Sequence, residues 1–143
     1  MRRKLRISNS LESLIDKSDI ISDFILYCQK ELDLKNPYEI KVVDCRKSHD
    51  ITTTAHYRPG AQICTVYGKN RALVDICRSI CHEMVHMMQD EKGELFGHIQ
   101  DAGGYHEDQA NSLAGELIKR FVGGCNTRSA IYETRNRRKT SFH

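Results

Sequence analysis

From Arg71 to Asp90 the chain carries neither glycine nor proline, and its residues keep helical spacing. Ile80, Cys81, Met84, Val85, Met87 and Met88 make that segment apolar on most of its sides. A helix of this kind belongs in the middle of a domain, with other elements packed around it. Its C-terminal half contains Cys81-His82-Glu83-Met84-Val85-His86, an H-E-x-x-H pattern. Histidines at i and i+4 project from one face of a helix, close enough for both rings to reach a single Zn²⁺ at about 2.0–2.1 Å. The Glu after the first His lies beside the metal, where it can take a proton from water whose pKa the ion lowers toward ~7. Buried polar groups without partners cost on the order of several kcal/mol, and a metal satisfies His82, Glu83 and His86 together. The plain alternative is two surface histidines on an ordinary helix.

The rest of the chain is read around this helix. Leu11, Leu14, Ile15, Ser18, Ile21, Ile25, Cys28 and Leu32 keep helical spacing, which predicts one amphipathic helix over 10–33, capped by Ser8 or Ser10 and ended by Asn36-Pro37. Tyr38 to Asp44 reads as a strand. Ile51–Tyr57 and Ala61–Tyr67 read as a hairpin turning at Arg58-Pro59-Gly60. Glycines at 93, 97, 103 and 104 bracket a loop. A last helix follows from Tyr105 to Phe121, with Ala110, Leu113, Ala114, Leu117, Ile118 and Phe121 on one stripe and Gly123-Gly124 as its stop. The expected fold is a small α+β domain: an N-terminal helix, a short three-stranded, mostly antiparallel sheet, the H-E-x-x-H helix, and a following helix. One domain is expected over 1–126, with a basic tail over 127–143.

Composition sets the class. With 143 residues, 39% hydrophobic and 29% charged, the chain can bury a core without staples. No apolar run approaches the ~18 residues of a membrane span, and the basic start, Met1 to Arg6, leads into Ser8, Asn9 and Ser10 rather than the apolar stretch of a secretory signal. The cysteines are Cys28, Cys45, Cys64, Cys77, Cys81 and Cys125. No CxxC pair occurs, and Cys77 and Cys81 stand one turn apart in the apolar helix, so reduced thiols and a cytoplasmic location are expected. The net charge of +3 is concentrated at the ends, in Arg2, Arg3, Lys4 and Arg6 and in Arg128, Arg135, Arg137, Arg138 and Lys139. Solvated tails are the plain reading, and weak, salt-sensitive contact with nucleic acid is the alternative.

A zinc site of this type takes a third protein ligand and keeps a fourth position open. His98, His106 and Glu107 are the candidates, with Asp101 weaker. At ~100° per residue, His106 and Glu107 each fall about 50° off the apolar stripe of the last helix, on opposite sides, so periodicity leaves both open.

Glu107-Asp108-Gln109-Ala110-Asn111-Ser112-Leu113-Ala114-Gly115-Glu116-Leu117, about twenty residues after H-E-x-x-H, reads E-x-x-A-N-x-x-A-x-E-L. The pair of motifs, within residues 50–121, resembles the gluzincins, and among them the small ImmA/IrrE-like and phage-encoded metallopeptidases. That resemblance implies a zincin-like fold and a zinc metallopeptidase of phage or bacterial type acting on a peptide or protein, with a repressor as one kind of target. It implies Zn²⁺ held by His82, His86 and Glu107, with Asn111 supporting a ligating His from behind and Ala110 and Ala114 letting the helices approach. It also implies that a sheet-edge strand, Thr54–Tyr57 or Ile63–Val66, binds the substrate backbone. Gly97-His98 also resembles SprT-like, DNA-associated proteases, in which a third His follows the motif, although the aromatic residue expected after it is replaced by Ile99-Gln100. A zinc-containing module that only binds a partner is the alternative from outside enzymes. For the carbonyl oxygen that becomes negative during peptide hydrolysis, the candidate donors are Tyr105, His106, Tyr57 and His56; Tyr105 and His106 are preferred because they neighbour Glu107 in the chain.

Overall fold

The computed structural model describes residues 3–47, 53–95 and 104–132. In chain order these form β1 (Arg3–Ile7), α1 (Glu12–Ile15), α2 (Ser18–Glu31), β2 (Tyr38–Val43), β3 (Ala55–Arg58), β4 (Ile63–Tyr67), α3 (Leu73–Glu91), α4 (Tyr105–Gly123) and a 3₁₀ turn over Asn126–Ser129. The α+β class holds.

The sheet differs from the expected one. It has four strands in the order β1-β2-β4-β3. The β1–β2 and β2–β4 pairs are parallel, and only the β3–β4 hairpin is antiparallel. Strand β1 comes from the basic N-terminus, where Leu5 and Ile7 are the only apolar alternations among exposed Arg3, Lys4 and Arg6. Charged residues on an outer strand discourage pairing with other chains, which suits this edge position. Arg6 forms an ion pair with Glu39 of β2. Register places Leu5, Ile40, Cys64 and Tyr57 in one row and Ile7, Val42, Val66 and Ala55 in the next, so a single face of the sheet is apolar.

Helix α3 packs against β3 and β4, and α2 and α4 pack against α3. Central placement explains why α3 is apolar nearly all round: Ile76, Cys77, Ile80, Cys81, Met84, Val85 and Met87 are fully buried. The helix expected over 10–33 is broken at Asp16-Lys17 into α1 and α2. Leu11 and Leu14 lie over Gly68 beside Val42, at one end of the sheet. Ile21, Phe24, Ile25 and Cys28 are buried along α2, with Phe24 edge-on to Phe121 of α4. The break lets the two sets of side chains reach separate parts of the core. Leu11 is the N-cap and no side chain caps α1; Ser10 donates to Asp44 instead.

The core also takes in Ile131, 1% exposed, beyond the expected boundary at 126. Residues 133–143 of the expected tail, with Arg135, Arg137, Arg138 and Lys139, lie outside the described residues. Arg128 does not serve as a free basic group: its guanidinium lies 4.1 Å from the Phe121 ring centroid and donates to the Phe121 carbonyl. The thiols of Cys28, Cys64, Cys77 and Cys81 are buried and unbridged. None of the described helices is long and apolar enough to cross a membrane.

Candidate metal centre

His82 and His86 leave α3 on the same face, as their spacing requires. Glu107 comes from the first turn of α4, where a carboxylate also complements the helix dipole. Ala110 and Ala114, both fully buried, allow α4 to lie close against α3. Glu107 Oε1 stands 2.9 Å from His82 Nε2 and 2.9 Å from His86 Nε2. The ligand atoms of the three residues all lie within 4.8 Å of one another. Donors bound tetrahedrally at ~2.0 Å would sit about 3.3 Å apart, so residues gathered this closely are of the right kind and spacing to close on a zinc ion through side-chain adjustment.

One carboxylate oxygen shared by two imidazole nitrogens sets the electrostatics. Burial raises the Glu107 carboxyl, but hydrogen bonds from His86 and His82 and their charge outweigh it and hold the group below the ordinary carboxylate range. Glu83 is 7% exposed beside them. Burial pushes its carboxyl up to about 7; His86 pulls it down and the nearby Glu107 charge adds to the rise. A carboxyl poised near neutrality suits a group that must both accept and return a proton.

The support behind the histidines differs from the expected one. Asn111 lines the mouth of the cavity and is exposed, and no hydrogen bond joins it to either histidine among the described residues. Gln89, fully buried, does the holding. Its Oε1 lies 2.8 Å from His86 Nδ1, so that nitrogen donates, and Nε2 is the nitrogen left to give up its proton to Glu107 or its lone pair to a metal. Its Nε2 donates to the His106 carbonyl at 3.0 Å and to Gln109 Oε1 at 2.8 Å, tying α3 to the first turns of α4. Gln89 stands three residues after His86 and seven after His82, a helical spacing that already put it on the ligand face.

A cavity of about 440 Å³ opens on the cluster, lined by Thr53, Thr54, Ala55, His56 and Tyr57 from β3 and the residues before it, by Arg78, Ser79, His82, Glu83 and His86 from α3, and by Glu107 and Asn111 from α4. Tyr105 and His106 are not among these residues. Tyr105 is 69% exposed, and His106 turns toward Glu94, 3.6 Å away. As neighbours of Glu107 in the chain they fall on other sides of α4, and the cavity is lined without them among the described residues. His98 and Asp101, the other ligand candidates, lie outside the described residues.

Strand β3 forms one edge of the sheet and β4 lies inside it, so of the two expected edge segments only Thr54–Tyr57 borders the cavity from an edge. The Tyr57 hydroxyl donates to Asp90 at 2.6 Å and accepts from Gln62 at 3.2 Å. Its burial and the Asp90 carboxylate push its pKa well above the ordinary phenol value. Asp90 also accepts from the Gly60 N–H at 3.0 Å. Set beside family models, curated proteins and solved structures, the chain matches none of them.

Proposed function

We propose that this protein is a zinc-dependent metallopeptidase with His82, His86 and Glu107 as the metal ligands and Glu83 as the general base. The observation that carries the reading is the convergence of both histidine Nε2 atoms on one Glu107 oxygen, with a buried carboxyl beside them at the floor of an open cavity. When bound, zinc supplies polarisation of the scissile carbonyl and a lowered pKa for water. Glu83 takes the proton from the attacking water and passes it to the leaving amine, from its buried position beside the cluster. Gln89 keeps His86 in the tautomer that presents Nε2.

The edge strand β3 lies beside this floor, so an extended peptide can add to it and pass over the cluster, held by main-chain hydrogen bonds. The Tyr57 hydroxyl is committed to Asp90, which takes it out of the set of donors for the carbonyl oxygen. A purely structural metal site has no use for a buried general base or an open cavity, which favours catalysis over a binding module.

The test is hydrolysis of an unstructured protein such as casein by the zinc-loaded chain and by Glu83→Gln. The variant is expected to keep the metal and to lose at least about 10²-fold in rate. Full activity in Glu83→Gln would remove the mechanism.

A further inference from the structure

The cavity does not end at the histidines. It continues along α3 to Arg78, four residues before His82, which is about 6 Å along a helix axis. An extended peptide advances about 3.3 Å per residue, so Arg78 stands beside the substrate within about two residues of the scissile bond. Resting on the peptidase reading for the path of the peptide, we propose that Arg78 selects substrates by a carboxylate carried near that bond.

The charges facing the cavity support this choice. Among the described residues its carboxylates are Glu83 and Glu107, both at the cluster, and Glu107 is already engaged by the two histidines. Thr53, Thr54, Ser79 and Asn111 are neutral. Among the described lining residues, Arg78 is the guanidinium that an incoming peptide meets away from the cluster.

Arg78 is also available. It touches Asp75 Oδ1 through Nη1 at 3.2 Å, with the two side chains 51% and 44% exposed. An exposed pair of this kind is weak, so a substrate carboxylate can share or replace it. Arg71 provides the contrast: its guanidinium donates to the Tyr67 carbonyl, the Asp75 carbonyl and Ser79 Oγ, and it serves the fold. Ser79, whose Oγ accepts from Arg71, lines the cavity next to Arg78. A guanidinium presents two parallel N–H donors that match the two oxygens of a carboxylate.

The test measures binding of short fluorescent peptides to the full zinc-loaded chain. The peptides have amidated C-termini and a central Glu, Gln or Lys, and a further Gln peptide has a free C-terminus. The Glu peptide, or the free C-terminus if the carboxylate is that of a chain end, is expected to bind about tenfold more tightly than the amidated Gln peptide, the scale of one charged hydrogen-bonded contact. Arg78→Ala should abolish that difference, and Arg78→Glu should transfer the preference to the Lys peptide. Arg78 is exposed, so both variants should keep the wild-type circular dichroism. Equal binding of all peptides by the wild type, or a carboxylate preference that survives Arg78→Ala, overturns the proposal. Hydrolysis measured on the same peptides separates the two readings: Arg78-dependent binding without cleavage supports this proposal and counts against the peptidase, whereas cleavage with no Arg78 dependence does the reverse.

Discussion

The Tyr57 hydroxyl donates to Asp90 Oδ2 across 2.6 Å, and this bond fixes the edge strand against the helix that carries both histidines. Asp90 lies near the end of α3 and also holds the Gly60 N–H in the hairpin turn, where Gly60 adopts φ +82. One carboxylate thus holds the hairpin against the helix that carries both histidines.

Removing that hydroxyl should loosen the strand without touching the ligands. Tyr57→Phe leaves Asp90 with one fewer donor and Gln62 without its acceptor, a loss of about 1–3 kcal/mol. Urea unfolding should show the lower stability. Zinc content should be unchanged, and KM for a peptide should rise more than kcat falls. An equal fall of kcat with KM constant would contradict the positioning role.

Gln89 should matter to the metal rather than to the strand. Gln89→Met keeps the volume but removes the acceptor on His86 Nδ1 and the donors to His106 and Gln109. Zinc affinity, measured by competition with a chromophoric chelator, should weaken by about 10–100-fold. An affinity equal to the wild type would show that the orientation of His86 is set by packing alone.

Gly68 tests the packing between α1 and the sheet. A Cβ there would stand 2.6 Å from Val42 Cγ1 and 3.0 Å from Leu14 Cδ1, with Leu11 Cδ1 at 3.3 Å. Gly68→Ala should cost about 1–3 kcal/mol through forced displacement of these side chains. Thermal unfolding should report the loss, with zinc content unaltered because the site lies elsewhere on the sheet.

Much of this arrangement was legible in the chain because it depends on local spacing. His82 and His86 at i and i+4, the glycine-free run that became α3, the hairpin around Pro59-Gly60, and the small residues Ala110 and Ala114 all act over a few residues. What was not legible depends on distant pairing. Strand β1 has only Leu5 and Ile7 to mark it, and its place is set by parallel pairing with β2, more than thirty residues away. The break at Asp16-Lys17 follows from where Leu14 and Ile21 must go in the core, which helical periodicity does not encode. Tyr105 and His106 show the converse: close in sequence to Glu107, they are not among the described residues that line the cavity, because successive residues on a helix diverge by ~100°. Gln89 was legible in principle, since its spacing from His86 puts it on the ligand face.

The central claim is that His82, His86 and Glu107 form a zinc site, and elemental analysis tests it most directly. The chain and its Glu107→Ala variant are purified in parallel without chelator and their zinc is measured per polypeptide. About one zinc per chain, lost or greatly weakened in the variant, is the expected result. A wild-type protein without zinc, or a variant that holds it as tightly as the wild type, would contradict the account.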